Sequence, residues 1–361
     1  MDWYKVRRPC AAGGMKRIFK TRLTKEKFIC QSLTLMITLS LLFLFSCQKT
    51  KFQWEPGISA PKYYPVGDVK IDFGNAGHGS LTNFDNGWGD TYGAVSSGDI
   101  YKEAPKEVLI SYVSAIDNLV YKGKVLLPQE QIRSLFAKYK LDRKDNLGYL
   151  VVGMAPGGWI RVWFQTIDEK ANDLVSIEVT KASLEGYEDN TIGEGFRNKK
   201  SKYWDKYKIY WQLHGVPYEA WANNEKEYDI YFDFDKPNPK NEVTDPAYSS
   251  LDGTYYFRTP IDSLLKRKLP ADLVAVWKSK NSNVYYDTHV TFPKNFSKII
   301  EDRKLSKVVL SLQIEEDDQY GVIYLIGDNR KEKLLRFKTY PSKDKILGNS
   351  DFSKEVEYFI K

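Results

Sequence analysis

The chain has 361 residues, with 54 Lys and Arg against 47 Asp and Glu, so its formal net charge is +7. All of this excess lies before Cys47, where nine basic residues face two acidic ones; the 314 residues after it carry 45 of each sign. A neutral body has no clustered positive field to attract phosphates, which argues against a nucleic-acid partner. Cys10, Cys30 and Cys47 are the three cysteines, so the body has no disulfides and depends on burial of its apolar residues.

The first element in chain order is an apolar segment from Leu33 to Phe45, thirteen residues without a charge. A membrane-spanning helix needs about 20 apolar residues, whereas the core of a signal peptide needs roughly 7–15. Basic residues precede the segment from Met15 onward, and Leu44-Phe45-Ser46-Cys47 ends it. This ending resembles the bacterial lipobox, in which the cysteine thiol receives diacylglycerol and a small residue before it admits the peptidase.

We therefore predict that 1–46 is a signal peptide, whose true start is either Met1 or Met15, and that Cys47 is lipidated. The alternative is an uncleaved anchor that extends back to Ile29. Gln48 follows Cys47, so there is no Asp at the second mature position, and no acidic cluster follows. By resemblance to bacterial sorting rules, the expected location is the periplasmic face of the outer membrane, with membrane contact through the lipid.

Further along the chain, two segments share one pattern at a constant offset. Pro105 to Pro128 aligns without a gap with Pro270 to Pro293, and several residue types match. The matching pairs are Tyr112 with Trp277, Ser114 with Ser279, Asn118 with Asn283, Tyr121 with Tyr286 and Val125 with Val290. Each segment predicts two strands that end at a proline, a residue well suited to the first turn of a following helix.

A helix and a hairpin follow in both copies. The helices are predicted from apolar residues on one face: Ile132, Leu135, Phe136 and Tyr139 in the first copy, and Phe296, Ile299 and Ile300 in the second. Hairpins are predicted at Tyr149 to Gln165 and at Lys307 to Gly327. The expected fold class is α+β, mainly antiparallel β, with two tandem similar units of strand, strand, helix, strand, strand that we attribute to duplication.

A polar, glycine-bearing stretch at 185–203 separates the copies and predicts a linker or a long surface loop. The expected domains are therefore 48–184 and 204–361, each α+β. Two aromatic strands, Tyr207 to Leu213 and Tyr228 to Phe234, are expected to open the second domain. His214, near Tyr218 and Trp221, is interpreted as part of a packed strand-to-turn corner, with a ligand contact as the alternative.

Few residues carry an obvious chemistry. His78, His214 and His289 are too scattered for a metal-ligand spacing, and no cysteine follows Cys47 to assist them. Neither a nucleophile elbow nor a phosphate-binding glycine loop occurs in the sequence. We therefore expect no metal and no cofactor, and we name no catalytic residue.

The most unusual stretch is Gly74 to Gly98, with seven glycines in 25 residues. Its candidate ligand-binding residues are Asp85, Trp88, Asp90 and Tyr92. An aromatic ring and carboxylates on a glycine loop suit a sugar, and the carboxylates alone suit a calcium ion. The alternative is a structural loop in which Trp88 fills the end of a sheet, and we favour this second interpretation.

Several of these features together resemble a known family. They are the lipobox, the glycine turn "GWGD", the segment "VLISYVSAIDNLVYKGKVLLP" with its helix, and "VVGMAPGGWIRVW". As a set they are similar to the bacterial lipoprotein family known as domain of unknown function 2931, from Trp54 to about Gln165. The resemblance implies a lipoprotein and carries no activity or catalytic residue.

Two functions of different class follow as expectations. The first is a non-enzymatic binding lipoprotein whose partner is a periplasmic protein, an envelope glycan, or a toxin that it neutralises as an immunity factor. The second is a glycan-active or other hydrolase that uses loop carboxylates such as Asp85 and Asp90. A carboxylate pair that works as acid and base must flank a cleft about 5–10 Å wide, which sequence does not reveal.

Overall fold

The structure is a computed structural model that describes residues 51–74, 78–93, 99–168, 170–234, 241–244, 246–327, 330–342 and 351–360. The predicted signal peptide and Cys47 lie outside the described residues. Residues 51–361 form one compact unit. Within the part of the chain described, no helix is both long and apolar enough to cross a membrane.

Strands dominate both parts of this unit, which are called here the first half (51–187) and the second half (188–360). The first half contains β1 (Lys51–Ser59), β2 (Val66–Asp72), β3 (His78–Phe84), β4 (Tyr92–Gly93), β5 (Tyr101–Glu103), β6 (Glu107–Ser114), β7 (Leu119–Leu126), α1 (Gln129–Lys138), β8 (Gly148–Met154), β9 (Trp159–Asp168), β10 (Asp173–Ser183) and β11 (Gly186–Tyr187). The second half begins with α2 (Glu194–Arg197), α3 (Asp205–His214), α4 (Tyr218–Asn223), β12 (Glu227–Phe234), β13 (Glu242–Val243), β14 (Tyr248–Ser249) and β15 (Tyr255–Tyr256). It continues with β16 (Leu264–Lys268), β17 (Asp272–Lys278), β18 (Tyr285–Thr291), α5 (Phe296–Asp302), β19 (Lys307–Ile314), β20 (Tyr320–Gly327), β21 (Arg330–Lys338) and β22 (Val356–Tyr358).

The strands pair in similar ways in the two halves. The first half has sheets of order β10-β9-β8-β1-β4, with β5 also on β1, and β11-β7-β6-β2-β3. The second half has β16-β12-β19-β20-β21-β22 and β13-β17-β18, with a short β14-β15 ladder. Among the strand ladders described, β1 with β8 and β12 with β19 are parallel and the others are antiparallel. The predicted α+β class with mainly antiparallel strands is confirmed.

Side-chain alternation explains why these segments are strands on a core. In β6 the residues Val108, Ile110 and Tyr112 are buried, whereas Glu107 before them and Leu109 between the first two are exposed. Helix α1 presents its apolar face to the same core, where Ile132 and Phe136 are fully buried. A second core of the same kind fills the second half.

The predicted order of elements is present twice. It is β6, β7, α1, β8, β9 in the first half and β17, β18, α5, β19, β20 in the second. In both hairpins of the aligned segments the turn contains a left-handed asparagine, Asn118 with φ 62° and Asn283 with φ 56°. The stacked ring pairs correspond as well: Tyr112 with Tyr121, and Trp277 with Tyr286. Duplication as the origin of this likeness stays an interpretation.

One predicted strand is wrong. Tyr207 to Leu213 lies in helix α3, because Tyr207, Tyr210, Trp211 and His214 share one helical face at i, i+3, i+4 and i+7. Every second residue from Tyr207 to Leu213 is apolar or aromatic, which also fits a strand, and burial of Tyr210 and His214 decides for the helix. The expected strand-to-turn corner is likewise a turn between α3 and α4. The strand at Tyr228 to Phe234 is confirmed as β12.

The expected linker at 185–203 is a surface segment with short elements of its own. It contains β11, which pairs with β7, and helix α2. The Phe196 ring lies on the bare backbone of Gly67, where a Cβ would be 2.7 Å from the ring. The segment 185–203 is thus packed against the first half. The domain boundaries proposed from the sequence stay a prediction.

Aromatic residues join the two halves in a third buried cluster, the aromatic junction, defined by Tyr63, Tyr64, Trp88, Tyr210, Trp221 and Phe352. Tyr63 stacks on Tyr210 with ring centroids 4.2 Å apart. The Tyr64 hydroxyl donates to the Gly215 carbonyl at 2.6 Å, at the end of α3. Because buried aromatic contacts of this kind are close-packed, the junction fixes how the halves face each other.

Candidate functional site

Beside the aromatic junction lies a cleft of about 520 Å³ with walls from both halves, called here the interdomain cleft. The first half contributes the turn at Trp88 to Asp90 and one face of β9 and β10. The second half contributes the segment after α4, β15 and the end of β16. The lining residues are Trp88, Gly89, Asp90, Trp163, Gln165, Leu174, Ser176, Glu178, Asn224, Glu225, Glu227, Thr254, Tyr256 and Lys268.

Trp163 is the main aromatic surface of the first-half wall. Its ring lies on Gly153 in the neighbouring strand, where a Cβ would be 2.5 Å from the ring. The partly buried ring also meets Trp88 edge to face, with centroids 5.1 Å apart. Next to it Gln165 is buried and donates to the Gly89 carbonyl at 2.6 Å. The ring is therefore held in place before any ligand arrives.

A buried arginine attaches the second-half wall to the first half. Arg161 of β9 is 1% exposed, and its guanidinium donates to the Trp221 carbonyl at 3.2 and 2.7 Å. The same group contacts Asn224 Oδ1 and the Glu178 carboxylate, the latter at 2.5 Å. The end of α4 and the segment after it are thus fixed against β9 and β10. This contact places Glu225 in the cleft.

Asp90 projects into the cleft from a glycine turn. Gly87 with φ 138° and Gly89 with φ 88° adopt backbone conformations that other residues rarely take. The Asp90 N–H donates to the Gly87 carbonyl at 3.1 Å, which closes the turn. Burial raises the pKa of Asp90 to about 6, against the opposing charges of Lys268 and Lys62.

Glu225 faces the same cleft from the second half. Its Oε2 accepts the Asp252 N–H at 3.0 Å. Asp252 is fully buried and pairs with Lys268 Nζ at 2.5 Å, so Lys268 already has an ion-pair partner. Burial, and then the Asp252 charge, raise the pKa of Glu225 to about 8. The cleft thus holds two carboxyl groups whose charged forms are disfavoured.

The structure separates the four candidate residues of the glycine loop. Asp90 lines the cleft, and Trp88 lines it too but is only 3% exposed. Asp85 instead holds the segment between β1 and β2, because it accepts the Tyr63 N–H at 3.1 Å and lies 3.7 Å from Lys62 Nζ. The side chain of Tyr92 lies outside the described residues. The sequence interpretation missed Trp163, Glu225 and Lys268, which no motif connects to the loop.

Two histidines occupy buried positions. His214 is 6% exposed, and burial lowers its pKa to about 4. His289 lies 2.5 Å from Asp272 Oδ2, an oxygen that also accepts the Tyr63 hydroxyl at 2.9 Å. The other Asp272 oxygen accepts from Ser249. Here the aspartate lies between serine and histidine, whereas a hydrolytic triad needs the histidine in the middle. We therefore interpret this group as structural.

Metal binding has no support among the residues that the structure describes, where no group of three or more His, Cys, Asp or Glu side chains could hold an ion. The carboxyl groups that line the interdomain cleft come from both halves: Asp90 and Glu178 from the first, Glu225 and Glu227 from the second.

Comparison with known proteins gives one match. A family described as "protein of unknown function (DUF2931)" matches residues 44–219. The chain belongs to this family. No curated protein and no solved structure matches the chain. The DUF2931 match includes Trp88, Asp90, Arg161 and Trp163 and ends inside α4, before Glu225.

The burial of Trp88 generates a stability prediction for this DUF2931 member. We expect Trp88→Ala to lower the free energy of unfolding by about 3–5 kcal/mol, as large-to-small core changes do. Chemical denaturation measures the change. The control is Phe257→Ala, since Phe257 is 66% exposed and its removal should cost less than about 1 kcal/mol. A Trp88→Ala protein as stable as the control would show that the ring is not part of the core.

The raised pKa of Glu225 generates a pH prediction. Between the ordinary glutamate pKa of about 4.3 and the native value of about 8, the native state keeps a proton that the unfolded state releases. Its stabilising contribution is complete below the lower value and is lost as pH rises through the upper one. We expect the free energy of unfolding to fall between about pH 6 and pH 8. This window lies above the native pKa of Asp90, which is about 6, so the fall reports on Glu225.

Urea denaturation at several pH values tests this dependence in wild type, Glu225→Gln and Glu188→Gln. The glutamine at position 225 has no proton to lose, so the slope in this window should disappear. Glu188 is exposed and outside the cleft, so its variant should keep the slope. An unchanged slope in Glu225→Gln would contradict the assignment.

Proposed function

We propose that this chain is a lipoprotein of the outer membrane, anchored at its periplasmic face through Cys47, and that the interdomain cleft binds a ligand without converting it. The short apolar segment and the Leu44-Phe45-Ser46-Cys47 ending support the anchor. The DUF2931 match begins at residue 44, within this ending. The ligand belongs to a periplasmic partner or to the envelope itself.

One observation carries the binding proposal: the cleft is preformed, and each half supplies a wall held by buried contacts. Arg161 holds the second-half wall through its hydrogen bond to the Trp221 carbonyl. In the first-half wall Gly153 has no side chain, so the Trp163 ring lies directly on its backbone. Ligand sites of this kind combine an aromatic surface with a few oriented polar groups, and fixed walls reduce the entropy lost on binding. A volume of about 520 Å³ suits a small molecule or one segment of a larger partner.

A second candidate function is hydrolysis, and one observation favours it. Asp90 and Glu225 are carboxyl groups of the same cleft, and burial raises the pKa of each toward neutrality. Such a pair suits general acid and base work on a glycan. Asp85 has no part in this version, because its carboxylate accepts the Tyr63 N–H in the segment between β1 and β2. Release of new reducing ends from envelope glycan by wild type, and its loss in Asp90→Asn, would favour catalysis over binding.

The anchor generates a prediction at Cys47. Labelled palmitate should be incorporated into the wild-type chain in a Gram-negative host, and Cys47→Ala should abolish the label, because the thiol is the acceptor. Cys30→Ala is the control and should be labelled like wild type, since Cys30 lies within the predicted signal peptide. Equal labelling of the Cys47→Ala and wild-type chains would refute lipidation at this residue.

The cleft generates a prediction about ligand capture. Trp163→Ala should weaken capture from an envelope extract by about 1–3 kcal/mol, the scale of a lost aromatic anchor. Tyr203→Ala is the control, because Tyr203 is a half-exposed aromatic residue outside the cleft. Captured proteins and glycans are quantified for each variant. Capture by a folded Trp163→Ala chain at the wild-type level would mean that the ligand binds elsewhere.

A further inference from the structure

The interdomain cleft contains more negative than positive charge once internal pairs are assigned. Glu178 is paired with Arg161 at 2.5 Å, and Lys268 is paired with the buried Asp252 at 2.5 Å. Asp90, Glu225 and Glu227 remain as lining carboxyl groups. Within the described residues, none of the three has an ion pair, and Asp90 and Glu227 have no side-chain hydrogen bond.

These three groups do not form a site for a metal ion. No set of three acidic or metal-binding side chains among the described residues is close enough to hold one ion. A ligand that neutralises all three carboxyl groups must therefore carry its positive charges at several points along one molecule. The volume of about 520 Å³ leaves room for such a molecule, and the partly buried Trp163 ring offers it an apolar surface and a π face.

We propose that the interdomain cleft binds an alkylammonium ligand, whose ammonium groups pair with Asp90, Glu225 and Glu227 while its methylene chain lies on Trp163. This inference rests on the proposed binding function and names the chemistry of its ligand. A free aliphatic diamine and a lysine side chain of a partner both carry this chemistry. A neutral sugar supplies no countercharge for carboxylates in the cleft, whereas an ammonium group does.

Without a ligand, Glu225 keeps a proton at neutral pH, whereas Asp90 keeps one only below about pH 6. Burial raises the pKa of Asp90 to about 6 and, together with Asp252, that of Glu225 to about 8. The charged and titratable groups that face them are Lys62, Lys268, Asp252, Glu178, Tyr255 and His214. An ammonium group stabilises the ionised carboxylates, so binding releases protons and tightens as pH rises.

Isothermal titration of the full chain in detergent micelles tests the proposal, with 1,5-diaminopentane as the free amine and a lysine-containing tripeptide as the side-chain source. The neutral control is 1,5-pentanediol, which has the same chain length. We expect the diamine or the tripeptide to bind and the diol not to bind. Affinity should rise about tenfold from about pH 5 to pH 7, as Asp90 ionises, and should fall with added salt.

Three variants locate the site. Asp90→Asn and Glu227→Gln should each weaken amine binding about tenfold, and Glu188→Gln should leave it unchanged although it removes the same charge. Glu227 is exposed, so its variant keeps the test valid if Asp90→Asn fails to fold. Binding that is equal for the diol, unaffected by pH, or unaffected by Glu227→Gln would overturn the proposal.

Envelope capture separates this inference from the proposed function. If Trp163→Ala abolishes capture but no amine binds, the cleft is a ligand site and the alkylammonium assignment is wrong. If no amine binds and the Trp163→Ala variant captures as much envelope material as wild type, both proposals fail. Tripeptide binding without diamine binding supports the inference and identifies the source as a protein side chain.

Discussion

The charge of Arg161 is the constraint on which the rest of the site depends. A guanidinium that is 1% exposed is tolerated only when its donors are satisfied, since an unpaired buried charge costs several kcal/mol. Here its partners are a carbonyl and an amide from the second half and a carboxylate from its own half. Separation of the halves would remove the Trp221 and Asn224 partners and leave the guanidinium with the Glu178 carboxylate alone. The interdomain cleft therefore exists as a fixed shape.

The aromatic junction and the hydrogen-bonded group around Asp272 also hold the two halves together. Tyr63 belongs to the first half, yet its hydroxyl donates to Asp272 and its ring stacks on Tyr210 of the second half. Its own backbone is strained, with φ 66°. A strained tyrosine in a buried network is retained because several contacts hold it at once. These contacts make the boundary between the halves resemble a core more than a surface.

Much of the fold follows from local patterns in the sequence. The two aligned segments that end at a proline predict β6, β7, β17 and β18, and apolar residues at helical spacing predict α1 and α5. These signals are local, so one sequence reveals them. Helix α3 was missed because apolar or aromatic residues at every second position from Tyr207 to Leu213 fit a period of two, and only the aromatic junction decides for the helical period.

The site was much less predictable than the fold. Asp90 was identified because it stands in a glycine-rich loop, and such loops often carry function. Trp163 and Glu225 lie far from that loop along the chain and meet it only through the packing of the two halves. Nothing near Glu225 marks it as a buried acid, since its pKa is raised first by burial in the packed structure and then by the charge of Asp252, which lies on another segment.

The parallel ladder between β1 and β8 has a consequence for how the chain acquires its shape. Strand β1 is the first in the body, and it lies inside its sheet, between β8 on one side and β4 and β5 on the other. Its partner Gly148 follows Trp54 by nearly a hundred residues. Closure of so long a loop slows folding, because entropy is lost before contacts compensate it. Under the proposed export of this chain, β1 must be kept from pairing wrongly until β8 has emerged, and β12 depends on β19 in the same way.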